Sequence, residues 1–216
     1  MSKEGIGTIA GLSIFTVFIF ILGFRLEHTG LIVLAIILFI LTAFSLYFFR
    51  DPQRLPPTNP DAIVAPADGK IIEIVEKDEP EYLEGKAKRI SIFLSLFDIH
   101  VNYIPYSGNI DYLRYAKGKF HKAFLDKASE LNEHTIIGLE TPHGKLVFKQ
   151  IAGILARRII CRLKMDETVI TGQKFGIIKF GSRAEVYIPE WAEITVTLGE
   201  RVRAGETTIA KVIKRK

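Results

Sequence analysis

The stretch Phe175-Gly-Ile-Ile-Lys-Phe-Gly-Ser-Arg-Ala-Glu-Val-Tyr-Ile-Pro189 indicates two β-strands joined by a tight turn at Gly181-Ser182. β-Branched and aromatic residues on both sides favour strands, and glycine followed by serine favours a turn. Glycine also leaves its own carbonyl unshielded and tolerates strained backbone angles. The dipeptide is therefore either an ordinary turn or a place where the Ser182 hydroxyl attacks the Gly181 carbonyl.

Such an attack would convert the Gly181-Ser182 amide into an ester. β-Elimination and hydrolysis would then cut the chain and leave a pyruvoyl group at position 182. A pyruvoyl ketone can form a Schiff base with a substrate amine and accept its electrons as CO2 departs, the work often done by pyridoxal phosphate. A chain cut in this way would carry a covalent pyruvoyl cofactor and need no pyridoxal phosphate, although the dipeptide alone favours the ordinary turn.

Short β-type segments alternate with turn residues from Lys70 onward. The predicted strands cover residues 70–76, 89–97, 145–151, 176–180, 184–188 and 193–197. Helical interruptions are predicted at residues 123–131 and 153–158, and residues 198–212 resemble the C-terminal hairpin of barrel-sandwich hybrid folds. We therefore expect a mainly β, barrel-sandwich-hybrid-like domain with short helices.

The N-terminus carries two uncharged apolar runs, residues 5–24 and 31–49. Each is close to the ~20 residues that a membrane-spanning helix needs. Only six residues separate them, which predicts a transmembrane helical hairpin with both ends on one side of the bilayer. A cleaved signal peptide and a monotopic hairpin that enters one leaflet are the alternatives.

These features divide the chain into three parts. Residues 1–49 form the membrane hairpin, residues 50–69 form a Pro-rich linker and the start of the catalytic domain, and residues 70–216 form its β-rich body. Lys3, Arg50 and Arg54 flank the outer ends of the hairpin, whereas only Arg25 lies in its loop. The positive-inside rule therefore predicts a cell-membrane protein with its catalytic domain on the cytoplasmic side.

Lys and Arg total 29 against 24 for Asp and Glu. This modest surplus is compatible with anionic lipid headgroups or with a solvated surface. A nucleic-acid partner is not expected, because no recognition helix, zinc finger or aromatic stacking motif accompanies the charge. The single cysteine, Cys161, excludes an internal disulfide and agrees with a reducing compartment.

Five sequence blocks carry a resemblance to a known family. In chain order they are Phe48-Phe-Arg-Asp-Pro52, Pro66-Ala-Asp-Gly69, Phe97-Asp-Ile-His-Val-Asn102, Gln150-Ile-Ala-Gly-Ile-Leu-Ala-Arg-Arg158 and Phe180-Gly-Ser-Arg183. Their order and approximate spacing resemble the phosphatidylserine decarboxylase proenzymes, in the short form that includes archaeal archaetidylserine decarboxylases. The resemblance extends from about Phe48 to the C-terminus.

The resemblance implies a role for three residues. Ser182 is the self-cleaving residue and becomes the pyruvoyl group, and its hydroxyl needs a base to attack at neutral pH. His100 matches the active-site histidine, although a histidine between apolar neighbours is otherwise more often a core residue. Asp68 matches the aspartate that orients this histidine, in the manner of an Asp-His-Ser triad; from local sequence alone it would be an Asp-Gly turn.

The chain departs from the family at one position. Longer bacterial members have a second histidine three residues after the first, where this chain has Tyr103. Either His100 serves both self-cleavage and decarboxylation, or another histidine such as His143 supplies the second function. His143 lies in a Pro/Gly turn and is otherwise a loop residue. No spacing of His, Cys, Asp or Glu indicates a metal site.

The sequence thus predicts a decarboxylase that converts phosphatidylserine to phosphatidylethanolamine at the membrane and whose two fragments stay associated. Archaetidylserine is an alternative substrate, because an ether lipid would present the same phosphoserine headgroup. A noncatalytic, membrane-tethered carrier or scaffold is the alternative from another class. A carrier would need a lysine at the tip of the C-terminal hairpin, where this chain has Arg203-Ala-Gly205. A serine hydrolase is disfavoured because the Gly-x-Ser-x-Gly motif is missing.

Overall fold

The computed structural model describes residues 1–118, 131–153, 159–178 and 181–213. The chain divides into two compact units, Met1–Pro52 and Gln53–Lys216. The helical interruptions predicted at residues 123–131 and 153–158 fall almost entirely outside the described residues.

The first unit is a pair of helices, α1 (Lys3–Arg25) and α2 (Thr29–Phe48). Both are long and apolar enough to cross a membrane, and most of their large apolar side chains are exposed. Thr16 and Thr42 donate their hydroxyl protons to the carbonyls of Leu12 and Leu38 in their own helices, which satisfies these groups without water. The helical hairpin predicted from the sequence is confirmed.

The second unit is mainly β, as the sequence predicts. In the part of the chain that the structure describes, fourteen strands follow α2. Their bounds are β1 Ala62–Val64, β2 Gly69–Glu79, β3 Gly85–Leu94, β4 Val101–Tyr103, β5 Gly108–Ala116, β6 His134–Thr141, β7 Gly144–Ile151, β8 Ile159–Cys161, β9 Thr168–Val169, β10 Lys174–Ile178, β11 Ser182–Ile188, β12 Ala192–Ile194, β13 Arg201–Val202 and β14 Thr208–Val212.

These described strands form three sheets, in which all neighbouring strands pair antiparallel. The largest has eight strands in the order β13-β2-β3-β11-β7-β6-β5-β9. Two three-stranded sheets have the orders β1-β14-β12 and β4-β10-β8. Strand β11, which begins at Ser182, therefore lies inside the large sheet between β3 and β7.

Both faces of β11 are covered. Val186 and Ile188 contribute to the main apolar core together with residues of β3 such as Ile90 and Ile92. The alternate residues of β11 point to the other face, where Arg183 and Glu185 are buried. A strand that is buried on both faces holds its first residue in a fixed environment.

Several sequence expectations differ from the structure, among them the predicted strand 193–197, which is observed as Ala192–Ile194. Strand β3 ends at Leu94 instead of continuing to Phe97, because the Asp98 carboxylate accepts hydrogen bonds from both the backbone N–H and the hydroxyl of Ser95 and closes a turn there. The C-terminal segment does not form a hairpin with itself: β13 pairs with β2, whereas β14 pairs with β1 and β12.

Candidate active site

The Gly181-Ser182 turn leads directly into the large sheet. Gly181 has a φ of 60°, in the left-handed region that favours glycine. Ser182 is the first residue of β11 and pairs with Leu94 of β3. The serine is 0 % exposed, and its hydroxyl oxygen has no hydrogen-bond partner within the described part of the chain. A buried and unpaired hydroxyl therefore lies next to the carbonyl of a glycine in a left-handed turn.

His100 lies immediately before β4 and is buried. Its Nδ1 is 2.9 Å from the backbone carbonyl oxygen of Asp98. Because a carbonyl only accepts hydrogen bonds, Nδ1 carries the proton and Nε2 holds the basic lone pair of the neutral ring. The carbonyl of His100 accepts a 3.2 Å hydrogen bond from the N–H of Ile178, the last residue of β10. The histidine is thus held beside the strand that leads to the Gly181-Ser182 turn.

The carbonyl that binds His100 belongs to a fixed turn. Asp98 is buried, and its carboxylate accepts hydrogen bonds of 2.8 and 2.7 Å from the N–H and hydroxyl of Ser95. Arg201 of β13 binds the other carboxylate oxygen of Asp98. These contacts fix the orientation of the turn and therefore the tautomer of the His100 imidazole.

Asp68 lies directly before β2 and is bound to a residue near the start of the second unit. Both of its carboxylate oxygens accept hydrogen bonds from the Arg54 guanidinium, at 3.0 and 2.8 Å. The backbone N–H of Ala204 donates a further bond of 2.7 Å. Burial raises the pKa of Asp68, and the opposing effects of the Ala204 N–H and of Arg54 do not cancel this rise. Arg54 in turn binds Glu206 at 3.0 Å.

The segments that carry Asp68, His100 and Ser182 meet. The Pro66 carbonyl accepts a 2.9 Å hydrogen bond from the N–H of Tyr103, which lies on the strand that follows His100. Ala67 packs with Leu94 and Ala184, which lie close to Ser182 in the sheet. The orienting contact between the Asp68 carboxylate and the His100 ring stays a prediction, since the bonds described for Asp68 go to Arg54 and Ala204.

Comparison with known proteins identifies the family of the chain. The family model described as phosphatidylserine decarboxylase matches residues 41–210. The chain belongs to the phosphatidylserine decarboxylase family. The chain is therefore an enzyme of the decarboxylase class. The family resemblance inferred from the five sequence blocks is confirmed.

Curated relatives in this family are similar over most of their length, and each is named a phosphatidylserine decarboxylase proenzyme. The relative from Salinibacter ruber is 51 % identical, over 79 % of this chain and 76 % of the relative. The relative from Desulfotalea psychrophila is 44 % identical, over 84 % of this chain and 85 % of the relative. The relative from Chlorobium luteolum is 42 % identical over 98 % of this chain and 99 % of the relative, so the similarity includes the N-terminal helices.

The structure does not bring His143 to the Gly181-Ser182 turn. The register of β7 on β11 pairs Ile151 with Arg183 and Val147 with Tyr187. His143 precedes β7 and packs against Trp191, with ring centroids 5.8 Å apart. Trp191 follows the far end of β11, so the length of that strand, at ~3.3 Å per residue, separates it from Ser182. His143 lines a groove of about 910 Å³ at that end of the sheet, away from Ser182.

Tyr103, at the position of the second histidine of longer family members, is buried beside the site. Its ring lies so close to Gly205 that a Cβ at this glycine would be 2.9 Å from the ring. The Lys174 ammonium is 5.9 Å from the centroid of the same ring. Tyr103 therefore packs tightly against the turn that supplies the Ala204 N–H to Asp68.

Sequence reasoning missed four residues that support the site. Arg54 binds Asp68, and Asp98 holds His100 through its backbone carbonyl. Asn102 of β4 and Gln150 of β7 form a 2.8 Å hydrogen bond, which joins the sheet β4-β10-β8 to the eight-stranded sheet. Asp98, Asn102 and Gln150 lie inside the sequence blocks that carry the resemblance, and this position could have indicated a role for them. Arg54 lies two residues after the first block, and the sequence indicates only a positive charge next to the membrane hairpin.

Metal ligation has no support in the described residues. Within residues 1–118, 131–153, 159–178 and 181–213, no group of three or more His, Cys, Asp or Glu side chains could hold a metal ion. The expectation that the chemistry needs no metal stays a prediction.

Proposed function

We propose that the chain is a self-processing, pyruvoyl-dependent decarboxylase that converts the serine headgroup of phosphatidylserine to an ethanolamine headgroup. The observation that carries the proposal is the buried Ser182 hydroxyl, which has no hydrogen-bond partner among the described residues and follows a left-handed glycine. An unsatisfied buried polar group costs about 1–3 kcal/mol, and a nucleophile that must approach its own chain gives a functional reason for one at this position.

Self-cleavage requires only atoms of the chain and one water. The Ser182 oxygen bonds to the Gly181 carbonyl carbon as the peptide C–N bond breaks, which gives an ester and a free amine at position 182. Removal of the Ser182 α-proton then expels the Gly181 carboxylate. Water addition at the remaining double-bonded carbon releases ammonia and leaves the pyruvoyl end.

His100 is the base that the first step needs. Its Nδ1 proton is engaged by the Asp98 carbonyl, so the basic lone pair of the neutral ring lies on Nε2, the atom that would accept the Ser182 hydroxyl proton. The hydrogen bond from Ile178 to the His100 carbonyl keeps the histidine beside the turn. His100 and Ser182 are both buried, and a hydroxyl whose proton is accepted by a nearby base is an activated nucleophile.

Asp68 stabilises the positive charge that His100 gains when it takes this proton. Burial raises the pKa of the carboxyl, and Arg54 and the Ala204 N–H oppose this rise, so the aspartate is held in place by groups that prefer it ionised. A fixed carboxylate near a protonated imidazole lowers the energy of the attacking state. Arg54 therefore acts through Asp68, which it binds.

Position 182 fits the group that the family name implies. A pyruvoyl ketone there would supply an electrophile for the substrate amine and an electron sink for the departing CO2. Ser182 is fully buried, and its backbone partner Leu94 packs with the small residues Ala67 and Ala184, so its apolar surroundings suit an uncharged, planar group. Pairing of β11 with β3 and β7 would keep the small fragment associated after the cut.

The two N-terminal helices suit an enzyme whose substrate is a membrane lipid. Their exposed apolar surfaces match the hydrocarbon of a bilayer, and a tether at the membrane raises the effective concentration of headgroups at the site. The positive charges at the outer ends of the hairpin favour a catalytic unit on the cytoplasmic side of the cell membrane.

The experiment is a headgroup conversion assay on the purified full chain in lipid vesicles, with Ser182→Ala as the inactive control. We expect release of CO2 and formation of the ethanolamine lipid by the parent chain only. Parallel vesicles with a diacyl and with an isoprenoid ether phosphoserine lipid separate the two possible lipid backbones. Conversion by the Ser182→Ala chain, or cleavage without conversion of either lipid, would contradict the proposal.

A further inference from the structure

Arg183, the residue after the proposed pyruvoyl position, is buried in a network of charges. Its side chain is 1 % exposed on the face of the sheet opposite the main apolar core. The guanidinium Nη2 donates to Glu73 of β2 at 2.7 Å and to the Ser91 hydroxyl of β3 at 2.5 Å. Its Nε lies 2.9 Å from a carboxylate oxygen of Glu185, two residues along the same strand. The side chain thus joins β11 to both β3 and β2.

A second arginine shares the same acidic partners. Arg89 of β3 binds Glu73 and lies 3.7 Å from Glu185. Burial disfavours the Glu73 carboxylate, but Arg89 and Arg183 outweigh this effect, and the pKa of Glu73 is lowered. Two cations and two anions balance within the network, so removal of either arginine leaves buried negative charge unpaired.

Cleavage would change what holds the start of β11. Within residues 1–118, 131–153, 159–178 and 181–213, Ser182 pairs with Leu94 on one side, whereas Arg183 is the first residue of the strand with pairs on both sides, Phe93 and Ile151. A pyruvoyl group has no N–H at its own position, so the first backbone donor of the cut chain belongs to Arg183. Free strand ends fray unless they are tied down.

We propose that Arg183 is a positioning residue that anchors the cut end of β11 and thereby holds the pyruvoyl group in the site. This inference rests on the proposed function. Before the cut, the peptide bond to Gly181 restrains residue 182 from its other side. After the cut, the side chain of Arg183 replaces that restraint through its contacts with Glu73, Ser91 and Glu185. The anchor therefore matters for the mature enzyme and not for self-cleavage.

Arg89 supplies the matched control. Arg183→Met and Arg89→Met each remove one cation from the same pair of carboxylates. Only Arg183 is adjacent to the break, whereas Arg89 lies in the continuous strand β3. If the loss of turnover comes from disruption of the charge network, both variants will show it. If it comes from loss of the anchor at the cut end, only Arg183→Met will show it.

The first measurement compares self-cleavage with later turnover in full-length chains. We expect Arg183→Met to cut itself within about threefold of the parent rate, and its cut form to turn over substrate at least about tenfold more slowly. Arg89→Met should show equal changes in both rates. Equal losses in the two rates for Arg183→Met would overturn the proposal.

The second measurement does not depend on self-cleavage. In a Ser182→Ala full-length chain, a protease recognition sequence inserted after Gly181 allows the break to be made by an added protease. Amide hydrogen exchange at residues 183–185 is measured before and after the break. We expect the break to accelerate exchange at least about tenfold in the Arg183→Met version and only about threefold or less with Arg183 or with Arg89→Met.

If Arg183→Met does not fold, Arg183→Lys tests whether Arg183 anchors the cut end of β11. A lysine keeps the positive charge, but a single ammonium group does not span Glu73 and Glu185 as a planar guanidinium does. We expect this variant to fold and to lose protection after the break. The proposal is wrong if Arg183→Lys protects the cut strand as well as the parent arginine does. A parent chain that never cuts itself would contradict the proposed function, while the protease-broken chain would still decide the role of Arg183.

Discussion

Substitution of Gly181 by alanine tests whether the left-handed turn is part of the self-cleavage chemistry. Among the described residues, a Cβ built on Gly181 meets no atom within 4 Å, so the substitution causes no steric clash with them. Its cost comes from the backbone conformation, because φ at this position is 60°. A non-glycine residue in the left-handed region costs about 1–2 kcal/mol.

That cost reduces the fraction of chains whose turn presents the Gly181 carbonyl to the Ser182 hydroxyl. A free energy of about 1–2 kcal/mol corresponds to roughly a 5- to 30-fold change in population, and we expect Gly181→Ala to slow self-cleavage by this factor. Asparagine tolerates positive φ better than alanine, so the self-cleavage rate of Gly181→Asn should lie between that of the parent chain and that of Gly181→Ala. The assay is pulse-chase expression followed by denaturing electrophoresis.

Gly199→Ala is the matched control. Gly199 has a φ of 88°, and a Cβ there meets only the far end of the Lys70 side chain, at 3.8 Å. The backbone cost is thus of the same kind, but it lies in a turn that is not cut. Cleavage of Gly181→Ala at the parent rate or faster would refute the reasoning, as would an equal slowing by Gly199→Ala.

Three further predictions concern the base, the membrane helices and the charge network. His100→Ala and Asp68→Asn should slow self-cleavage by orders of magnitude without unfolding the chain. Electrophoresis measures the cleavage and circular dichroism the folding, and normal cleavage in both variants would show that the site is misassigned. A chain lacking residues 1–49 should still cut itself. Its turnover, relative to that of the full chain, should fall more on vesicle-bound than on detergent-dispersed phosphoserine lipid. Equal losses of turnover on the two forms of lipid would contradict a tethering role. The pKa of Glu73 is lowered below its ordinary value of 4.5, so its stabilising contribution is present above that pH and is lost as the pH falls through the folded-state pKa. The difference in thermal midpoint between the parent and Glu73→Gln should therefore shrink on acidification below about pH 4.5, and a constant difference would contradict the assigned charge pairing.

The sequence predicts the elements whose signal is local. The two apolar runs near the N-terminus form α1 and α2 because length and composition alone decide such helices. The segments around residues 70–76, 145–151 and 184–188 form strands because they are rich in β-branched residues. The turn at Gly181 was also predictable, since few residues other than glycine adopt its φ.

The sheet connections were not predictable in this way. Residues 201–202 and 208–212 look like the two arms of a hairpin, yet one arm extends the large sheet and the other lies between β1 and β12. Pairing between distant strands depends on how the chain closes around a common core, and local sequence carries little of that information. Strands β5 and β6 were missed because their sequences mix polar and apolar residues without a clear period.

The candidate site shows the same division. Gly181 and Ser182 follow from local chemistry, and His100 and Asp68 follow from the family resemblance. Arg54 could not be inferred, because only the fold shows that its guanidinium leaves the linker and binds Asp68. His143 matched the requirement for a second histidine by residue type, but the register of β7 places it at the other end of β11.

The most direct test of the account is the intact mass of the small fragment from the purified full chain. The account predicts a fragment of residues 182–216 whose mass is lower than that of the same peptide with an N-terminal serine by one molecule of ammonia. Its Ser182→Ala counterpart should yield a single uncut chain. A fragment that begins with an unmodified serine, or an uncut parent chain that still decarboxylates phosphatidylserine, would contradict the pyruvoyl mechanism.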